Sequence, residues 1–178
     1  MTGAGAGTGF GAAKGLNPIG WLGAPLFVCM IATVIFDVPL RIFGLSVPQP
    51  VFPLSMAFAW ALIRPSVLPP FALLTLGLFL DVFWGGPQGL WPLCLLSTYA
   101  AVLAVRRLIM SQDFIVMGAS YAAAIGLAFA VGYALMATVT GVAPNLVALA
   151  AQYIATLILF PFAHRLIGRY EDADVRFR

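Results

Sequence analysis

Two carboxylates stand inside long apolar stretches of this chain, and any chemistry would have to start from them. Asp37 precedes Arg41 by four residues, about one helical turn, so the two can pair on one face of a helix. Asp81 has no basic residue within a turn of it. An acid at the centre of a membrane helix is disfavoured by about 2.5–3.5 kcal/mol on insertion scales, so each needs a partner or a task. Two readings stand for Asp81. Either Asp37, Arg41 and Asp81 form one charge cluster near the outer membrane face, or Asp81 holds the glycine-rich turn, Gly85 to Gly89, that follows it. Further catalytic vocabulary is sparse. The single histidine, His164, adjoins Arg165 at the end of an apolar run, where the carbonyl end of a helix favours positive charge. Cys29 and Cys94 fall at different depths of their runs and read as small apolar fillers rather than as a disulfide. No set of His, Cys, Asp or Glu has metal-ligand spacing, and no serine lies in a nucleophile elbow. The expectation is a protein without catalytic residues, metal or cofactor.

The glycines of the first stretch, GAGAGTGFGAAKG, invite comparison with phosphate-binding loops. They contain no G-x-G-x-x-G, and Ala13 stands where a Walker loop needs glycine before Lys14. Residues 1–17 are instead expected to be a disordered cytoplasmic tail, since Gly, Ala and Thr order poorly without a core to enter.

The elements that position the carboxylates follow from composition. Of the 178 residues, 62% are hydrophobic and 8% charged, and the mean hydropathy is +1.03. A soluble protein carries about 25% charged residues, so the chain reads as an all-α polytopic membrane protein. Spans are expected at 19–42, 50–63, 67–86, 89–105, 114–139 and 144–163, forming a transmembrane domain over 18–166 with a short charged cytoplasmic tail at 167–178. The second is short for a crossing. On this reading Lys14, Arg64, Arg106, Arg107, Arg165, Arg169, Arg176 and Arg178 share one side, and Arg41 alone lies on the other. Basic residues are retained on the cytoplasmic side, which places both termini in the cytoplasm of a bacterial inner-membrane protein. The sequence pI near 9.2 is then a property of loops, and no basic run with interleaved aromatics suggests nucleic acid.

Within the fifth span, Gly118, Ala122, Gly126, Ala130, Ala134 and Thr138 recur every four residues. Small residues at that spacing let helices approach closely, either within this bundle, the favoured reading, or against a partner's helix. The polar residues Ser97, Thr98, Tyr99, Tyr133, Gln152, Tyr153 and Thr156 are expected to bond across to neighbouring helices, with the lining of a small-solute cavity as the sharper alternative. Trp21, Trp60, Trp84 and Trp91 lie near expected span ends and read as interfacial belts.

The middle of the chain carries a more specific pattern. In PVFPLSMAFAWALIRP and LTLGLFLDVFWGGPQGLWPLCLLSTYAA, Pro53 is followed by Trp60, Arg64 and Pro65, then Gly77, Leu78 and Asp81, then Gly85, Pro87, Gly89 and Leu90, with Tyr99 beyond. This constellation resembles the MreD family of rod-shape-determining inner-membrane proteins. The resemblance covers about a quarter of the chain, and the glycine-rich N-terminal stretch is no part of the family pattern. It implies a six-helix bundle similar to the S components of energy-coupling-factor transporters. It also implies a non-enzymatic subunit of the cell-wall elongation machinery. Its implied partners are an MreC-type periplasmic scaffold, a RodA-type glycosyltransferase with a class B penicillin-binding protein, indirectly MreB, and membrane lipid. Trp60, Arg64, Pro65, Gly77, Asp81, Gly85, Pro87 and Gly89 would then set the core of helices two to four and a partner-facing surface. Independently of the resemblance, Gly86 belongs to a turn too short to enclose a ligand, and Trp84 and Trp91 flank that turn with aromatic surface of the sort that anchors interfaces. The alternative is a subunit that binds a small solute or lipid carrier for a transport system.

Overall fold

A computed structural model describes residues 22–37, 41–42, 45–46, 49–63, 66–109 and 114–175. Its helices are α1 (Ala24–Phe36), α2 (Phe52–Ile63), α3 (Leu68–Trp84), α4 (Leu90–Ile109), α5 (Phe114–Thr140), α6 (Leu146–Leu157) and α7 (Phe160–Val175). Between α1 and α2 the strands β1 (Arg41–Ile42) and β2 (Leu45–Ser46) form a two-residue antiparallel ribbon, Arg41 opposite Ser46. Helices α6 and α7 are two parts of one broken rod. Pro161 has no N–H to donate, and the chain between the two parts closes instead through Leu159 N to Thr156 O at 3.1 Å.

Three stretches, Leu90–Ile109, Phe114–Thr140 and Leu146–Arg169, are long and apolar enough to cross a membrane. The protein is therefore a helical membrane protein. Helix continues through the expected charged tail as far as Val175, whereas the expected N-terminal tail lies outside the described residues. Arg106 and Arg107 close α4, and Arg165 and Arg169 lie on α7, whose Phe160 packs against Gly118 near the start of α5. We call this the basic end and the opposite one the turn end.

Helix α2 departs most from a simple row of spans. Its 12 residues cover about 18 Å, against about 30 Å of bilayer hydrocarbon. Every residue from Pro53 to Leu62 is buried, and α2 touches all six other helices. It is a post inside the bundle. Its start lies at mid-depth, because Val51 N donates to Thr156 Oγ1 at 3.1 Å, and Thr156 lies about 15 Å below the first residue of α6 at 1.5 Å per residue. Irregular backbone at such depth survives only when buried in protein with its polar groups paired. At the other end Arg106 Nε and Nη2 donate to Leu62 O at 3.1 and 2.9 Å, a cation on the carbonyl end of the helix.

This position corrects one expectation. Trp60 is no interfacial residue: it is 0% exposed, since a helix enclosed on all sides has no lipid-facing surface to present. Its indole Nε1 has no hydrogen-bond partner.

Candidate functional site

Most of the residues carrying the resemblance meet at the turn end, where α3 and α4 form a hairpin. Gly77 and Asp81 are one turn apart on α3, both directed at α4. A Cβ added to Gly77 would lie 2.5 Å from Pro92 N, 2.6 Å from Pro92 Cα and 2.8 Å from Pro92 Cδ, so the two backbones cross where only glycine fits. Helix α3 ends on Gly85 at φ +66°, a left-handed cap that glycine adopts freely. Gly89 (φ +93°) opens α4, its carbonyl accepting from Leu93 N at 3.1 Å.

Being glycine, residue 89 has no side chain with which to cap the helix it starts. Asp81 supplies that function from the preceding helix. Its Oδ2 accepts from Gly89 N at 2.5 Å and its Oδ1 from Trp91 N at 3.0 Å, which sets a carboxylate at the positive end of α4. The residue is 3% exposed, and these two bonds explain how an acid is tolerated there. Asp37 has a different partner, the indole of Trp84, whose Nε1 donates to Asp37 Oδ1 at 2.9 Å. Gln49 Nε2 donates to Asp37 O at 2.8 Å, tying the end of the α1–α2 connection to the same place. Trp84 and Trp91 then meet edge to face at 4.8 Å. Both carboxylates thus have hydrogen-bond partners of their own, while the side chain of Arg41, like Arg64 and Pro65, lies outside the described residues.

Thr156 bonds across to its neighbours as expected, but sequence reasoning missed Ser55 and Tyr121, which complete the polar centre of the bundle. Ser55 Oγ and Tyr121 Oη lie 2.7 Å apart, Tyr121 Oη donates to Thr156 O at 2.9 Å, and Thr156 Oγ1 accepts from Val51 N while donating to Gln152 O. Ser55, Tyr121 and Thr156 are all buried. The available signal was a serine and a tyrosine inside otherwise apolar runs. Not every polar residue bonds across helices as expected: Ser97 and Thr98 both donate back to Cys94 O in their own helix, the usual solution for a hydroxyl in a helix. His164 rests its ring edge-on against Phe114 at 5.0 Å, with Nδ1 3.4 Å from Met117 Sδ.

The small-residue ridge of α5 divides. Steps of four residues advance about 40° beyond a full turn, so a ridge of six positions sweeps through about 200° and cannot keep to one face. Gly118 faces Phe160, Gly126 faces Tyr153, and Ala122 O accepts from Tyr153 Oη at 3.1 Å. This part of the ridge packs within the chain. Ala130, Ala134 and Thr138 are exposed.

Above the N-terminus of α2, towards the turn end, the interior is not filled. A half-open cavity of about 160 Å³ remains between α4, α5 and α6. Its buried floor includes Leu54, Cys94 and Phe129, and its partly exposed rim includes Tyr133, Met136, Leu149 and Gln152. Small-molecule sites usually enclose about 300–1,000 Å³, so this space is too small for a vitamin-sized solute. A second hollow of about 370 Å³ between α4 and α5 near the basic end has Ser120 as its only polar side chain among the described residues. No three His, Cys, Asp or Glu residues among those described are grouped to hold a metal.

No family model, curated protein or solved structure matches this chain.

Proposed function

We propose that this protein is a non-enzymatic membrane subunit of a bacterial cell-wall elongation complex, which binds and positions an MreC-type scaffold and through it the peptidoglycan synthases. In this reading it has six spans with α2 as a short central one, lies in the inner membrane and keeps both termini in the cytoplasm. The observation that carries the proposal is the construction of the α3–α4 hairpin. Gly77, Asp81, Gly85 and Gly89, four residues of the resemblance to MreD, act together there on a single task, holding a two-helix tip rigid through a backbone crossing and a borrowed helix cap. That tip offers aromatic surface at Phe83, 37% exposed, beside the Trp84–Trp91 pair, and aromatic residues of this kind anchor interfaces. A hairpin fixed in this way suits contact better than turnover. Trp60, wholly enclosed near the basic end of α2, cannot itself touch a partner.

A transport role like that of an S component is less well supported, because the cavity under the tip is about half the lower limit for a small-molecule site, and the larger hollow of about 370 Å³ offers Ser120 as its one polar side chain among the described residues, without the convergent polar groups that such sites use. The two readings separate in one experiment. Phe83→Ala with Gln88→Ala alters only exposed side chains of the tip and should leave the protein at normal abundance in the membrane. Co-purification of the single-span scaffold in mild detergent should fall at least tenfold. Retention of the scaffold by the double variant would overturn the assignment of the tip. Saturable binding of a vitamin-sized solute to the wild-type protein would favour transport instead.

A further inference from the structure

The cavity has one wall that is built differently from the rest. Where α2, α4 and α5 each contribute several buried residues to the bundle, α6 contributes Thr156 alone. The rest of α6, from Leu146 to Ala155, has no buried residue, and Leu146, Val147 and Ile154 are 63%, 77% and 58% exposed. Elements with so little burial open at the lowest free energy.

Both ends of this wall have features of a hinge. At its foot the rod breaks at Ile158 and Leu159 ahead of Pro161, and the break is pinned by Thr156, which receives hydrogen bonds from Val51 N and Tyr121 Oη. At its head Gly141 (φ +68°) and the exposed residues Val142 and Ala143 join it to α5. Between foot and head, one hydrogen bond holds it to α5 across the interface, from Tyr153 Oη to Ala122 O, with the Tyr153 ring standing edge-on to Phe129 at 6.0 Å. Ala122 is inside a helix, so its carbonyl keeps an intrahelical donor when Tyr153 leaves. Release therefore costs the Tyr153 hydroxyl its one acceptor and leaves the Ala122 carbonyl satisfied.

We propose that the segment Leu146–Tyr153 is a hinged lateral gate. It swings about the Thr156–Leu159 break, with the Tyr153–Ala122 bond as its latch, and in swinging opens the 160 Å³ cavity sideways to the half of the bilayer at the turn end. The closed gate is the state described above. The open gate separates Gln152 and Leu149 from Tyr133 and Met136 and uncovers Cys94 and Leu54. The movement is a rotation of one rod segment, the type of hinge that a few residues at an element's end can absorb.

Spin labels test this in nanodiscs. Cysteines at Val147 on the gate and Leu93 on α4, with Cys29 and Cys94 replaced by alanine, report the width of the mouth by pulsed electron double resonance. A pair at Val82 and Leu93, on the rigid hairpin, supplies the reference width. The wild-type gate pair should give two distances, the longer one in the minority. Tyr153→Phe keeps the ring and removes the latch, and should raise the ratio of open to closed about fivefold, the factor one ordinary hydrogen bond is worth. Pro161→Ala, which restores a donor at the hinge, should lower it. A single distance as narrow as the reference, unmoved by Tyr153→Phe, overturns the gate.

Discussion

Adding one methyl group at Gly77 should destabilise this protein more than its size suggests. An alanine Cβ there would meet Pro92 N, Cα and Cδ at 2.5, 2.6 and 2.8 Å, while ordinary carbon contacts lie at about 3.5–4.0 Å. The α3–α4 crossing would have to widen by about 1 Å, and two of the three obstructing atoms are backbone, which no rotamer change can move. Overpacking of this kind is typically worth about 1–3 kcal/mol, and a rigid obstacle belongs at the upper end. Against it stands the gain of about 1 kcal/mol from replacing a helical glycine by alanine. The net expectation is a loss of about 2 kcal/mol, and at roughly 2–4 °C per kcal/mol for a chain of this length the melting temperature should fall by about 4–8 °C. Thermal unfolding in detergent, followed by tryptophan fluorescence, measures it. Gly132→Ala is the control, because its Cβ would meet only Cys94 Sγ, at 3.2 Å, the end of a side chain that can turn aside. Gly77→Ala melting within 2 °C of wild type would refute the argument. So would full rescue by Pro92→Ala, since that change removes the ring carbon and leaves the backbone atoms in place.

Three further outcomes follow from other contacts. Asp81→Ala leaves the Gly89 and Trp91 amides without their acceptor and should lose about 2–6 kcal/mol, at about 1–3 kcal/mol for each amide left unpaired, with the lower half expected because both bonds are only partly buried; Asp81→Asn, with one acceptor oxygen, should fall between it and wild type in the same melting assay. Tyr121→Phe removes the link between Ser55 and the Thr156 carbonyl and should lower stability by about 1–3 kcal/mol, and if the buried centre acts as a unit, combining it with Thr156→Val should be less than additive. For topology, single cysteines at Gln88 and Asn145 should react with an impermeant thiol reagent in intact spheroplasts and one at Ser111 only after lysis; the reverse pattern would invert the protein in the membrane.

The parts of this architecture that were legible in the sequence are those governed by local rules. The Gly85–Gly89 turn was marked by its glycines and Pro87, and the structure closes α3 and opens α4 there. The boundaries of α5 were visible within a residue or two, because a long apolar run bounded by polar residues leaves little choice. One of the two readings of Asp81, that it holds the turn, describes its contacts with Gly89 and Trp91. What hydropathy could not convey was which apolar segment has no lipid around it. The α2 sequence is as apolar as a span, and nothing in FPLSMAFAWALI distinguishes a helix among helices from a helix among lipids; hence Trp60 read as interfacial. The break at Pro161 was equally hidden, since a proline near the end of an apolar run reads as a terminus. The α5 ridge was visible as spacing, but its rotation around the helix divides it between Tyr153 and Phe160 on one side and the membrane on the other.

The pairing of Val51 with Thr156 also bears on how the molecule is made. These residues are 105 positions apart, and at about 5–20 residues per second a ribosome needs roughly 5–20 s to travel from one to the other. Throughout that interval α2 is already synthesised, yet the wall that completes its enclosure and the hydroxyl that satisfies its first amide do not exist. A segment of 12 residues is too short to rest across the bilayer by itself. It must wait at the membrane surface, within the insertion machinery, or under a provisional partner until the last rod arrives. A chain truncated after α5 should therefore be recognised as unfinished and degraded, although five of its helices are intact, and its survival at normal levels would show that α2 finds its place without α6.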